Sequence, residues 1–241
     1  DANYNAEQPT LVLTTRSGRR LGKLPVSNLQ FKDALNSYSE ARFDIYKSDT
    51  STSLWNSVKP LKLVWAKEWN EFYELDVEPE DEEGSLHKSC TATSLGEAEL
   101  SQIMLYDIEI NTEADISRDD YVPTVIYNES NANASLLHRI KDKAPHYVFG
   151  HIATSIRGLQ RTFNFDDISL YDALQKIAEE CDCLFKFRCY LDTDGQLVRE
   201  ISCYDLESYC LECGYRGEYM SECDQCGSTN INHGYGEDTT I

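Results

Sequence analysis

The sequence predicts an α+β fold, and three observations predict it. Extended runs with apolar residues at every second position fill the first third of the chain. One amphipathic helix, "SLYDALQKIAEEC" at 169–181, stands among strand-like stretches further on. Near the end, "CLECGYRGEYMSECDQCGS" at 210–228 sets two Cys-x-x-Cys-Gly units face to face, the spacing of a four-cysteine zinc ribbon. These features divide the chain into a β-rich region at 1–85, a mixed α+β region at 86–204 and a ribbon subdomain at 205–241.

In the first region "TLVLTT" is followed by the turn-rich "RSGRRLGKLP" and by two further extended runs, "RFDIYKS" and "LKLVWAKEW". In the last run Leu61, Leu63 and Trp65 alternate with Lys62 and Val64, which predicts one buried face. "NEFYELDVE" continues the pattern into "DVEPEDEEG", where six of nine residues are acidic. Nothing spaces those carboxylates around one ion, so the stretch reads as a solvated hairpin loop and not a calcium site.

The middle region opens with short helical signals in "TSLGEAELSQIML" and "EADISRDD". In "SLLHRIKDKAP" Ser135 is placed to cap, Leu136, Leu137 and Ile140 share a face, and Pro145 terminates. "HYVFGHI" and "QRTFNF" read as strands. The helix at 169–181 starts with a capping-box-like Ser169 and Asp172, and buries Leu170, Leu174, Ile177, Ala178 and Cys181 as one stripe. "CLFKFRCY", the turn "LDTDG" and "QLVREISCYDL" then make a β-hairpin; "DTDG" lacks the downstream Glu of a calcium loop.

Charge narrows the function. The formal net charge is -20, but residues 1–75 carry ten Lys/Arg against nine Asp/Glu, which leaves -21 on the remainder. Such a surface repels phosphate backbones and argues against DNA or RNA. No apolar run approaches the ~20 residues needed to span a bilayer, and no secretory leader is expected. Of nine cysteines, Cys90, Cys181, Cys183, Cys189 and Cys203 lie outside the ribbon and read as reduced, packed thiols, which implies synthesis in a reducing cytoplasm. The chain opens on Asp1 and closes on "GEDTTI", which predicts a segment of a longer protein.

Cys210, Cys213, Cys223 and Cys226 are the candidate metal ligands, one ion per chain. Two residues within each pair let a tight turn set both thiolates on the same ion, and nine residues separate the pairs. Gly214 and Gly227 follow the second Cys of each pair and can take positive φ, bringing backbone N–H groups toward the sulfurs. Four protein sulfurs close the coordination shell, whereas hydrolytic zinc keeps a position for water. Residues 203–241 hold one Arg, no Lys and eight acids, so a structural ion is expected and not a nucleic-acid contact. Zinc is the default metal and iron the alternative. No HExxH, GxSxG or phosphate-cradling glycine loop occurs, and His138, His146 and His151 read as packed or surface histidines. No catalytic residue is assigned.

Several segments in order resemble a known family: "LWNSVKPLKLVWAKEWNEFYEL", "GEAELSQIMLYDIEINTEADISRDDYVPTVIYN", "SLLHRIKDKAPHYVFGHI", "RTFNFDDISLYDALQKIAEECDCLFKF" and "CGYRGEYMSECDQCGSTNINHGYGEDTTI". They are similar to the N-terminal hub region of the prophage endopeptidase tail, or tail-associated lysin, proteins of phages of Gram-positive bacteria. The resemblance runs from about residue 10 to the end. It implies β-barrel-like hub domains in a homotrimer, a structural part of the baseplate or tail tip, assembled in the host cytoplasm and carried in the virion tail. It further implies a distal tail protein above and a spike, fibre or lysin region below, with the ribbon as a structural elaboration. In the family the chain would continue past Ile241, so any lytic domain is expected beyond it. Two other readings stand beside this one: a zinc-ribbon module that binds protein or nucleic acid, and the N-terminal part of a cell-wall hydrolase.

Overall fold

The chain, seen as a computed structural model, is described over residues 8–32, 39–78, 86–206, 208–213, 215–217 and 222–232. The fold is mixed α+β, mostly strands with few helices. It divides into two compact units, residues 1–99 with 187–200 and residues 100–186 with 201–241.

The first unit opens with β1 (Leu11–Thr14), β2 (Arg20–Lys23), β3 (Val26–Lys32) and β4 (Glu40–Tyr46). Helix α1 (Thr52–Ser57), β5 (Leu63–Ala66), β6 (Glu71–Val77), β7 (His87–Ser94) and helix α2 (Leu95–Leu100) follow. The seven strands form one antiparallel sheet in the order β2-β1-β5-β6-β7-β4-β3. Its two edges, β2 and β3, are joined by Leu24 and Pro25 alone. Three Cα steps of ~3.8 Å reach at most about 11 Å. The edges therefore meet at that end, and the sheet curls into a half-barrel. Leu11, Leu13, Leu24, Phe43, Ile45 and Leu75 fill its inside.

Helix α1 sends Trp55 into that interior, and Val58 follows it there just past the helix end. Ser51 starts the helix by accepting the Leu54 N–H at 3.3 Å. Lys88 on β7 ends it: its Nζ donates to the carbonyls of Val58 at 2.9 Å and Trp55 at 3.4 Å, and lies 4.6 Å from the Trp55 ring centroid.

Strands β1 and β5 are buried on both faces. Val12, Leu63, Trp65 and Phe72 turn away from the half-barrel interior and meet Leu95, Cys189, Leu191 and Leu197. The alternation expected at 61–65 is accordingly not what the strand shows. Val64 is as buried as Leu63, while Leu61 is 58% exposed at φ +64, before β5 begins. A strand covered on both sides has no reason to alternate. Asn70 fixes the cover in place. Its Oδ1 accepts from Leu191 N–H at 3.1 Å and Trp65 Nε1 at 3.1 Å, and its Nδ2 donates to the Leu191 carbonyl at 2.8 Å. The acidic stretch after β6 falls largely on residues 79–85, outside the described residues.

The second unit holds β8 (Met104–Leu105), β9 (Ile108–Ile110), α3 (Glu113–Ile116), α4 (Leu136–Lys141), β10 (Val148–Ile152), β11 (Phe163–Phe165), β12 (Ile168–Ser169) and α5 (Leu170–Cys181). β9 pairs with β11 and β8 with β12, both antiparallel. Ser169 caps α5, its Oγ accepting the Asp172 N–H at 3.0 Å. The whole expected stripe is buried, and Tyr171 and Ala173 widen it. Ser135 stands before α4 as expected but makes no side-chain cap. The reason is local: the N–H groups of Leu136 and Leu137 already donate to the carbonyls of Val125 (2.9 Å) and Ile126 (3.0 Å). The Ser135 hydroxyl is left to donate to Ile126 O at 3.4 Å and to meet His138 Nδ1 at 2.8 Å.

Strands β13 (Cys183–Leu191) and β14 (Leu197–Asp205) form the expected hairpin, and β10 joins them in the order β10-β14-β13. At its turn Asp192 Oδ1 accepts the N–H groups of Asp194 (2.9 Å) and Gln196 (2.8 Å), so "DTDG" is a turn held by its first carboxylate. The chain then makes β15 (Ser208–Cys210), β16 (Arg216–Gly217) and β17 (Ile231–Asn232), ordered β16-β15-β17. This last sheet carries the site.

Candidate metal centre

Two tight turns build the site, and they repeat one hydrogen-bond pattern. The first leaves β15 at Cys210 and the second leads toward β17. In the first the Cys210 N–H donates to the Tyr215 carbonyl at 2.8 Å; in the second the Cys223 N–H donates to the Ser228 carbonyl at 2.8 Å. Both bonds close five residues onward. The returning N–H groups also match: that of Tyr215 donates to the Cys213 sulfur and that of Ser228 to the Cys226 sulfur. Gly227 makes this return at φ +71, which a Cβ would strain. Gly214, its counterpart, lies outside the described residues.

The four sulfurs come together within 4.8 Å of one another. Cys210 and Cys226 Sγ are 3.5 Å apart, as are Cys213 and Cys223 Sγ. The first Cys of each turn is buried, Cys210 at 0% and Cys223 at 2%, while Cys213 and Cys226 are exposed. Four thiolates this close cannot all carry charge without a cation among them. N–H donors from Cys213 and Glu212 hold the Cys210 thiol down to about 6. Cys226 also receives an N–H, from Ser228, yet the sulfurs of Cys213 and Cys210 push it up to about 12. The donor set suits a thiophilic divalent ion, with every position of a tetrahedron supplied by protein.

Among the described residues the apolar support of this segment is slight: Cys210, Cys223 and Ile231 form its core cluster. The remaining cysteines differ in kind. Cys90, Cys181, Cys183, Cys189 and Cys203 are all buried, and none is in a disulfide. Burial pushes the Cys90 and Cys181 thiols up to about 12, and the hydrogen bond with Cys183, together with burial, raises Cys203. They stay protonated and packed.

The three clustered histidines do not converge. His138 stacks on Tyr127 at 5.2 Å, His146 meets Tyr147 at 5.0 Å, and His151 stacks on Tyr204 at 5.0 Å. Sequence reasoning passed over Asn111, a buried polar residue of the second unit with four side-chain hydrogen bonds. Held at φ +52, it donates through Nδ2 to the carbonyls of Thr124 and Arg161 at 2.7 Å each. Its Oδ1 accepts from Tyr121 OH at 2.6 Å and Thr124 N–H at 2.9 Å. A positive φ is the one signal Asn commonly gives, and single-residue patterning does not reveal it. Asn111 also lines a polar cavity of about 220 Å³ with Glu109, Asp115, Arg118, Tyr121 and Arg139. Among the described residues no helix is long and apolar enough to cross a membrane.

No protein-family model matches the chain, and no curated protein matches it. Among solved structures it is similar to the prophage tail protein gp18 from Listeria monocytogenes EGD-e, with TM-score 0.48, 9% identity, and 79% of this chain against 50% of that one. It is also similar to the tail protein from Neisseria meningitidis MC58, with TM-score 0.36, 11% identity, and 79% against 49%. The chain spans about half the length of each. At these scores and identities neither likeness identifies a family.

Proposed function

We propose that this chain is a structural phage or prophage tail protein, a hub region of the baseplate or tail tip, with a zinc ion stapling its C-terminal segment. The observation that supports the staple is the closed set of four sulfurs on a segment whose described residues supply only Cys210, Cys223 and Ile231 as a core cluster. A closed tetrahedral ion contributes folding energy where burial cannot, and leaves no position for a substrate or a reactive water. The tail reading rests on the ordered sequence segments quoted above, spread over nearly the whole chain. The near-neutral residues 1–75 are the surface assigned to the distal tail protein, and the hub is a trimer in this account. No catalytic step is assigned to these residues.

The experiment is the protein composition of purified virions. The account expects the polypeptide in the particle fraction, at three copies per tail, and in contact with the distal tail protein on cross-linking. Its absence from intact particles that carry a complete tail overturns the reading. A nucleic-acid-binding ribbon is disfavoured by the -21 carried by residues 76–241, and salt-dependent retention on DNA would restore it.

A further inference from the structure

The four sulfurs are not equivalent, and the difference has a direction. Exposed Cys213 and Cys226 face solvent, and buried Cys223 and Cys210 lie behind them. The 3.5 Å neighbours join one exposed and one buried sulfur across the two turns, Cys213 with Cys223 and Cys210 with Cys226. We propose that the knot is a redox-releasable metal site in which a hydroperoxide oxidises the exposed sulfur of each pair and the buried sulfur of the opposite turn resolves it, leaving disulfides Cys213–Cys223 and Cys210–Cys226. This deepens the structural-metal reading and rests on it.

The chemistry balances with the hydroperoxide as the oxidant. The Cys213 thiolate attacks one peroxide oxygen; the S–O bond forms, the O–O bond breaks, and hydroxide leaves. The sulfenic sulfur of Cys213 is then attacked by the Cys223 thiolate, the S–S bond forms, and a second hydroxide departs. Two electrons have passed from two sulfurs to one peroxide. Cys226 and Cys210 repeat the sequence with a second peroxide. The ion loses its thiolates pair by pair and goes to water as the dication. The packed thiols of Cys90, Cys181, Cys183, Cys189 and Cys203 serve as internal controls, because burial withholds them from the oxidant.

Pairing across the turns is what separates this inference from ordinary thiol oxidation. A Cys-x-x-Cys unit released from its metal closes readily on itself, giving Cys210–Cys213 and Cys223–Cys226. Pairing across the turns instead retains the relative placement of β15 and β17, so the oxidised segment keeps its shape after the ion has gone. Restoring thiols and metal then rebuilds the site without refolding from a disordered chain.

The test treats the purified zinc-loaded chain with hydrogen peroxide. Released zinc is followed with a chromogenic chelator, and disulfides are mapped by mass spectrometry. Backbone cleavage at Glu212, Arg216 and Asp224 separates the four cysteines, so the pairings are distinguishable. The expected result is loss of the whole zinc content with one disulfide per peroxide consumed, both disulfides crossing between the turns, and five thiols still alkylated only after unfolding. Zinc and thiol reductant together restore the starting metal content. Disulfides within the turns, sulfinic or sulfonic acids in place of disulfides, or retained zinc after oxidant is consumed each overturn the proposal. Metal content is measured before oxidation. A chain that takes up no zinc refutes the metal reading itself, and its peroxide map still tests the pairing geometry.

Discussion

At the scale of single residues, two positions carry more of the structure than their chemistry suggests. Gly227 brings the Ser228 N–H to the Cys226 sulfur from a left-handed backbone. Gly227→Ala keeps all four ligands but strains that return by about 1–2 kcal/mol. Competition against a chromogenic chelator should show zinc affinity reduced by roughly tenfold; unchanged affinity would mean the N–H···S bond does not matter. Asn111 spends both Nδ2 protons and its Oδ1 on backbone and Tyr121. Asn111→Ala leaves a buried N–H of Thr124 without its acceptor, and should cost at least about 2 kcal/mol in urea unfolding. The convergence of the four cysteines was legible in the sequence, because their spacing encodes a turn. Asn111 was not, because its partners at Thr124 and Arg161 are distant in the chain and only the folded backbone brings them round.

At the scale of elements, legibility followed whether an element has one covered face or two. Helix α5 has one, and its stripe and Ser169 cap stood in the sequence as they stand in the fold. Strand β5 has two, so the alternation expected from Leu61 to Trp65 gave way to four consecutive buried residues. The cover comes partly from Cys189, Leu191 and Leu197, more than a hundred residues later, which no local pattern announces. The placement of α1 in the half-barrel was equally silent, since its anchor is a lysine from another strand. Lys88→Met removes two hydrogen bonds to the last turn of α1 and the cation over Trp55. A loss of about 1–3 kcal/mol is expected, with faster amide exchange in 52–58 while β4 and β7 keep their protection. Uniform protection throughout would show that Trp55 and Val58 hold the helix unaided.

At the scale of the whole molecule, the fold class follows from composition and pattern, and the curl of the sheet follows from one short link. Leu24–Pro25 joins the two edge strands and forces them together, a constraint visible only once strand order is known. The charge is uneven along the chain, near zero over residues 1–75 and -21 over the remainder, and the proposed docking surface on residues 1–75 rests on that asymmetry. The proposed function makes two claims, one stapling ion per chain and a trimeric hub. Native mass spectrometry of the purified chain across a concentration series reads both at once. The account predicts a trimer carrying one zinc-sized mass per chain, with the ion lost only under strong chelation or oxidation. A well-folded chain with no bound metal at any concentration would contradict it.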